Sequence, residues 1–250
     1  MISSGELLEV QFQVPDKLSN RYPFHLPFLR SKESLDINSE VTFFVGENGM
    51  GKSTLIEAIA IASGFNAEGG TKNFKFSTKN SHSELHEFVK TFRGTKRHKD
   101  GFFLRSESFF NLATEIDRRD EDPIGGKIID YYGGKSLHEQ SHGESFWALF
   151  THRFGGNGFY ILDEPESAMS PTRQMAMLCR MQELINLGSQ FIIATHSPIL
   201  IAYPNATVYE ITSTRISKKN YKDTDLFMSY AGFVKDSDSY IHHLLKDGGL

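Results

Sequence analysis

Apolar and polar positions alternate through LLEVQFQV (7–14), which predicts a strand ended by Pro15. The Pro-containing stretch NRYPFHLPFLR (20–30) reads as loop. Residues 41–64, VTFFVGENGMGKSTLIEAIAIASG, give an apolar strand, a glycine-rich turn and a helix closed by Gly64. Short apolar runs recur as FFLR (102–105), FYIL (159–162) and FIIATH (191–196), each bounded by turn or polar residues. They predict buried strands. A helix is expected from Ser81 to just before Gly94, over the segment containing SELHEFVKTFRG, because Ser81-x-x-Glu84 fits a capping box. Further helices are expected in ESFFNLATEID (107–117), ESFWALFTHRF (144–154), PTRQMAMLCRMQELINLG (171–188) and DSYIHHLLKD (238–247). A short one should follow Ser197 as N-cap with Pro198 at its first position. ATVYEIT (206–212) and TRISKK (214–219) read as a hairpin.

Strands alternating with helices predict an α/β layered domain with a mainly parallel sheet. We expect one domain over 1–250, with a helical and loop insertion at 65–140 and a C-terminal hairpin and helix at 206–250. Neither an internal repeat nor a heptad run long enough for a coiled coil is present.

Composition narrows the classes. Hydrophobic residues are 39% and charged residues 23% of the 250, an ordinary globular balance, and the net charge of −4 demands no polyanionic partner. Against that acidic background, residues 71–100 hold eight Lys and Arg against three acids, interleaved with His82, His86 and His98. Such a run suits DNA, or a solvated face. The single cysteine, Cys179, excludes an internal disulfide framework, and its setting predicts a small core residue. The opening MISSGELLEV lacks the pattern of a signal peptide, and no apolar run approaches a membrane span of about 20 residues. The cytoplasm is the expected compartment.

The chemistry concentrates at three strand ends. Gly46-x-x-x-x-Gly51-Lys52-Ser53, followed by Thr54, matches the P-loop pattern between the expected strand and helix. Glycines 46, 49 and 51 let the backbone wrap a phosphate with its N–H groups inward, and the helix adds its positive end. The expected nucleotide-binding set is therefore Gly46, Glu47, Asn48, Gly49, Met50, Gly51, Lys52, Ser53 and Thr54. Lys52 reaches the β- and γ-phosphates, and Ser53 offers its hydroxyl to Mg²⁺. In FYILDEP, Asp163 ends a strand where it can hold Mg²⁺, and Glu164 stands where a general base would polarise a water. His196, at the end of the next strand, can hydrogen-bond a γ-phosphate.

EQSHGESF (139–146) carries Ser141-x-x-Glu144, which by itself is a capping box. Its place between the P-loop and the acid pair adds a second meaning. The order P-loop, SHGES, ILDEP, ATHSP resembles the ATP-binding-cassette (ABC) ATPase family over roughly 36–205, and the spacings of 22 from Ser141 to Asp163 and 33 from Asp163 to His196 are similar. That resemblance implies the P-loop NTPase fold in its ABC-like three-layer form, with ATP and Mg²⁺ as cofactors and hydrolysis to ADP and phosphate. It also implies a homodimer closing head to tail on ATP. Ser141 and the backbone near Gly143 would then contact the γ-phosphate held by the other copy.

The departures from the family pattern direct the reading further. Gln140, His142 and Glu144 replace the usual Leu, Gly and Gln of the signature loop, and Ser170 replaces an aspartate in PESAMS. Glu107 takes the place equivalent to a glutamine that many members carry, and becomes a candidate on the metal side. Tyr22, 24 residues before Gly46, is a candidate for stacking on adenine. These features look less like a transporter subunit than like soluble ABC-type ATPases related to the chromosome-maintenance (SMC) and recombination heads, without their coiled-coil arms. The implied outputs are DNA-linked repair or defence with DNA or an effector protein as partner. The alternatives are an ABC transporter subunit with a separate membrane partner, and a P-loop kinase.

Overall fold

The computed structural model describes residues 5–30, 34–72, 82–121 and 126–246. In chain order these hold β1 (Leu7–Phe12), α1 (Pro27–Arg30), β2 (Leu35–Asp36), β3 (Val41–Gly46), α2 (Lys52–Ala62), β4 (Val89–Arg93), β5 (Asp100–Arg105) and α3 (Phe109–Asp120). Then follow α4 (His142–Ala148), β6 (Gly158–Asp163), α5 (Pro171–Asn186), β7 (Gln190–Ala194), β8 (Thr207–Ile211), β9 (Ile216–Lys219), α6 (Asp225–Lys235) and α7 (Ser237–Lys246).

Six strands form the central sheet in the order β5-β6-β7-β3-β8-β9. All neighbours run parallel except the β8–β9 hairpin. The strands read as continuous apolar runs because both faces are covered. Along β3, Val41, Phe43 and Val45 enter the core shared with α3, α4 and α5, while Phe44 enters the core shared with α2 and β1. Parallel order places the carboxyl ends of β3, β6 and β7 side by side, where an α/β sheet binds its ligands.

A second, antiparallel sheet, β2-β1-β4, covers one side. Gln190, 2% exposed, joins it to the central sheet. Its Oε1 accepts from Glu6 N and Leu7 N at 3.0 and 3.1 Å, and its Nε2 donates to Leu7 O and Ile37 O at 2.8 and 2.9 Å. Glu6 is the other fastening. Burial works against its charge, yet hydrogen bonds from His98 and Lys72 hold its carboxyl down at about 2.

Several expectations change. Pro27–Arg30, inside the stretch read as loop, is the short helix α1. The segment expected as a helix from Ser81 is instead a 3-10 turn (Glu84–Phe88) followed by strand β4. Val89–Arg93 pairs with the open edge of β1, and that pairing satisfies backbone groups a helix would have kept to itself. Ser83 caps the turn by accepting from Leu85 N at 3.1 Å; Ser81 lies outside the described residues. Cys179 is exposed, because α5 turns Met177, Met181, Leu184 and Ile185 inward and position 179 falls on the opposite face. Finally, α6 was not expected. Ser197 does cap the backbone after β7, accepting from Ile199 N and Leu200 N at 3.1 Å each, though the helical turn there is only Leu200–Ala202.

Candidate functional site

The loop between β3 and α2 is shaped by its glycines. Gly46 has φ 148°, and a Cβ there would lie 2.3 Å from Ile211 O, so β8 can approach β3 only against a glycine. Gly51 has φ 88° and is the N-cap of α2, which has no side-chain cap. The first N–H groups of α2 are thus left for an anion. Lys52 Nζ donates to Gly46 O and Glu47 O, both at 2.9 Å, and the side chain is buried. Burial pulls its ammonium below the ordinary value, while Glu164, Asp163 and Glu166 pull it back.

The acid pair stands across the sheet. Ser53 Oγ donates to Asp163 Oδ1 at 3.2 Å. Burial, with the Glu164 charge added, pushes the Asp163 carboxyl up to about 7, against the hydrogen bond from Ser53. The Ser53 hydroxyl and the desolvated Asp163 carboxyl, both hard oxygen donors, meet here, and the pair fits Mg²⁺. Among the described residues no group of three or more His, Cys, Asp or Glu could hold a metal without help.

Glu164 occupies the left-handed region, φ 50° and ψ 53°, which turns its side chain out of the strand. Its Oε1 lies 3.4 Å from His196 Nε2. Burial, then Lys52, lowers the His196 imidazole below its ordinary value, with Glu164 opposing, so the ring is neutral near pH 7. The structure therefore brings Lys52, Ser53, Asp163, Glu164 and His196 together.

Two further residues position this cluster. Ser106 Oγ donates to Asp163 O at 2.7 Å and Glu164 O at 3.0 Å, fixing the turn after β6. Glu166 Oε1 accepts from His196 N at 2.6 Å, and burial raises its carboxyl. Neither carried a local sequence signal, since each acts on a segment distant in the chain.

Glu107 stays outside the contact set. Its carboxylate meets Arg105 Nη2 at 3.2 Å and is mostly exposed, though its charge adds to the upward push on Asp163. Tyr22 donates or accepts at Thr54 Oγ1, 3.1 Å away, and its ring is 62% exposed. Both line one cavity of about 420 Å³ with Ser53 and Thr54.

The SHGES loop forms the capping box in full. Glu144 Oε2 accepts from Ser141 N at 3.0 Å and from Ser141 Oγ at 2.6 Å. Gly143 has a packing role as well, because a Cβ there would lie 2.6 Å from Ala168 O in the turn after the acid pair. Ser170, in the aspartate's place, caps α5 by accepting from Arg173 N at 3.3 Å. Among the described residues, no hydrogen bond or ion pair joins 141–145 to the P-loop of the same chain.

Part of the basic segment is joinery. Lys72 and Arg93 flank Glu6 at 2.9 and 3.7 Å, and Lys96 Nζ donates to Gly188 O at 2.6 Å. Lys75 and Lys79 lie outside the described residues.

Two family models match the chain. An AAA domain model matches residues 23–140, and a second one, whose description adds a candidate AbiEii toxin, Type IV TA system, matches 130–202. Together they run through the P-loop, the acid pair and His196. The chain is a P-loop ATPase that AAA-domain models match across 23–202.

Its fold is similar to that of an ATP-binding cassette of an ABC transporter in its ADP conformation, at 18% identity, with 91% of this chain and 99% of that one covered and a TM-score of 0.52. It is similar also to an inward-facing metal-chelate type ABC transporter, at 13% identity, 90% and 88% coverage and a TM-score of 0.50. The SMC head domain from Thermotoga maritima lies further off, at 16% identity, 86% and 98% coverage and a TM-score of 0.41. No curated protein matches the ATPase by sequence. No helix among its described residues is long and apolar enough to cross a membrane.

Proposed function

We propose that this ATPase binds Mg·ATP at the P-loop, closes head to tail with a second copy, and opens again when hydrolysis removes the γ-phosphate. The observation that carries the reading is the Ser53–Asp163 contact of 3.2 Å with Glu164 and His196 alongside. Ser53 and Asp163 would hold Mg²⁺, which on binding neutralises phosphate charge. The Lys52 ammonium would leave its loop carbonyls for the β- and γ-oxygens. Glu164 orients and deprotonates the attacking water, and neutral His196 donates its one N–H to the γ-phosphate.

The exposed Ser141 cap, which touches no P-loop residue of its own chain, is presented outward for another copy's phosphate. ATP thus biases an open–closed equilibrium through contacts made only in the closed state. For the target we propose DNA in repair or defence, on the strength of the basic segment 71–100. The name of the second matched family is in keeping with a defence role.

The test is the size of Glu164→Gln with and without Mg·ATP. A closed dimer that retains ATP supports the cycle. A variant that hydrolyses at the parent rate removes Glu164 as base, and one that holds ATP as a monomer removes the dimer. ATPase stimulation by DNA that fades with salt checks the target.

A further inference from the structure

Arg105 ends β5 in register with Asp163 at the end of β6, so a guanidinium-bearing residue stands directly beside the acid that faces Ser53. The guanidinium is engaged on two sides. Its Nη1 pairs with Glu57 Oε2 at 2.5 Å and donates to Ala67 O at 3.4 Å, while its Nη2 donates to Glu107 Oε2 at 3.2 Å. Glu57 is the firm anchor. It lies one turn beyond Ser53 on the same face of α2, its side chain is 6% exposed, and its other oxygen accepts from Ser83 N at 2.9 Å.

Glu107 is placed differently. Its side chain is 78% exposed, and Arg105 is its one ion-pair partner among the described residues. Its backbone, however, is fastened to the acid pair, because the neighbouring Ser106 Oγ donates to Asp163 O and Glu164 O. Glu107 also lines a cavity of about 420 Å³ with Ser53, and its charge acts on Asp163. A carboxylate anchored there is a fourth acid where Asp163, Glu164 and Glu166 already surround Lys52. In a metal shell it would fill a position that phosphate or water otherwise takes. The planar fork of Arg105, clamped at its other end by a buried carboxylate, can hold it in one place.

We propose that Arg105 is a positioning residue that keeps the Glu107 carboxylate out of the metal shell, so that Ser53 and Asp163 supply the protein's ligands. This rests on the reading of Ser53 and Asp163 as the Mg²⁺ ligands.

Mn²⁺ binding to the ADP-loaded chain, read by electron paramagnetic resonance, tests it. Glu57→Gln with Arg105→Gln removes both charges of the buried pair together and leaves neither uncompensated. That variant should bind Mn²⁺ about tenfold more tightly than the parent, because Glu107 is released to ligate. The decisive comparison is Glu107→Gln. It should change Mn²⁺ affinity by less than about twofold in the parent chain and weaken it by about tenfold in the pair variant. Equal factors in the two backgrounds would make Glu107 a distant charge and Arg105 a purely structural residue, and they overturn the proposal. So does a large loss in the parent chain, where Glu107 would already be a ligand. Arg105→Lys keeps a charge beside Glu57 but has no fork for a second carboxylate. It should show the same split in milder form, and it decides the matter if the pair variant loses its native circular dichroism spectrum. Asp163→Asn separates the two readings. If it binds Mn²⁺ like the parent, the ion lies elsewhere and both readings fail. If it loses Mn²⁺ while the Glu107 factors are equal, the metal site stands and the role of Arg105 falls.

Discussion

The P-loop edge and the SHGES lobe are the two halves of the proposed composite site, and they are built on opposite principles. At the P-loop edge, side chains sit at the ends of buried parallel strands, and the main chain does most of the work. Lys52 and Asp163 are nearly inaccessible, and Gly46 is pinned against Ile211. On the other lobe, Ser141 and Glu144 are exposed and stand on a helix of 7 residues that runs into a π turn at Leu149–Arg153. One half is preorganised by the sheet. The other is held by a few side-chain clamps, the better design for a part that must meet a partner and let go.

Breaking the rigid half has the largest effect. Lys52→Ala removes the buried cation of the P-loop and leaves the carboxylates of Asp163, Glu164 and Glu166 without it. ATP binding should weaken by about 10²-fold or more, and hydrolysis should vanish with it. Titration calorimetry with Mg·ATP checks this. Normal affinity would show that the loop is a structural turn.

The same contrast explains what the sequence made legible. The P-loop is a local device, with its glycines, lysine, strand and helix contiguous, so its pattern carried its context. The apolar runs before Asp163 and His196 were readable for a similar reason, because strands buried on both faces leave no polar alternation. Contacts between distant segments were not readable. Ser106 holds the backbone of Asp163 and Glu164, 57 and 58 residues away, and Glu166 reaches back from His196 across 30. Nothing in SES or PES announces either role. Residues 84–93 read as helix because Leu85, Phe88, Val89 and Phe92 satisfy a helical period, and only pairing with the edge of β1 makes 89–93 a strand. α6 went unread although Leu226, Phe227, Tyr230, Phe233 and Val234 recur at helical spacing.

The clamps of the second half are the next place to cut. Arg153, at the end of the π turn, forms a bidentate pair with Asp100 at 3.0 and 3.1 Å, and Tyr160 OH donates to the same carboxylate at 3.0 Å. Arg180 adds bonds to Phe150 O and Phe154 O at 2.8 and 3.0 Å. Arg153→Ala leaves Asp100 partly buried with its main partner gone and should cost about 2–4 kcal/mol, most of it in this lobe. The melting temperature should fall by roughly 5–12 °C. ATP affinity measured well below that temperature should stay at the parent value. If affinity falls in step with stability, the two halves are one cooperative unit and the contrast fails.

Ser141→Ala reaches the proposed cross-subunit contact directly. Hydrolysis should drop by about tenfold through the loss of one phosphate hydrogen bond, with no change in ATP binding by the single chain. The lost N-cap adds a smaller penalty, about 1 kcal/mol in stability. Equal loss of hydrolysis and ATP affinity would place Ser141 at its own chain's nucleotide and end the head-to-tail arrangement.

The smallest effect is expected at Glu144, and its sign is informative. Hydrogen bonds from Ser141 hold the Glu144 carboxyl below the usual carboxylate range, with Arg173 and Lys135 adding to the pull. At neutral pH it is therefore an anion that takes the Ser141 hydroxyl proton for its own hydrogen bond, and it stands where a partner's triphosphate is proposed to arrive. Both properties oppose phosphate capture. Glu144→Gln keeps an acceptor for Ser141 N, so the capping box persists and the melting temperature should move by no more than about 1–2 °C. The amide oxygen is a weaker acceptor, which frees Ser141 Oγ to donate outward, and one negative charge leaves the closing interface. Hydrolysis at saturating ATP should therefore rise by about two- to threefold. A fall as deep as that of Ser141→Ala would mean that Glu144 itself engages the nucleotide or its metal, and the exposed half-site would have to be rebuilt around a carboxylate.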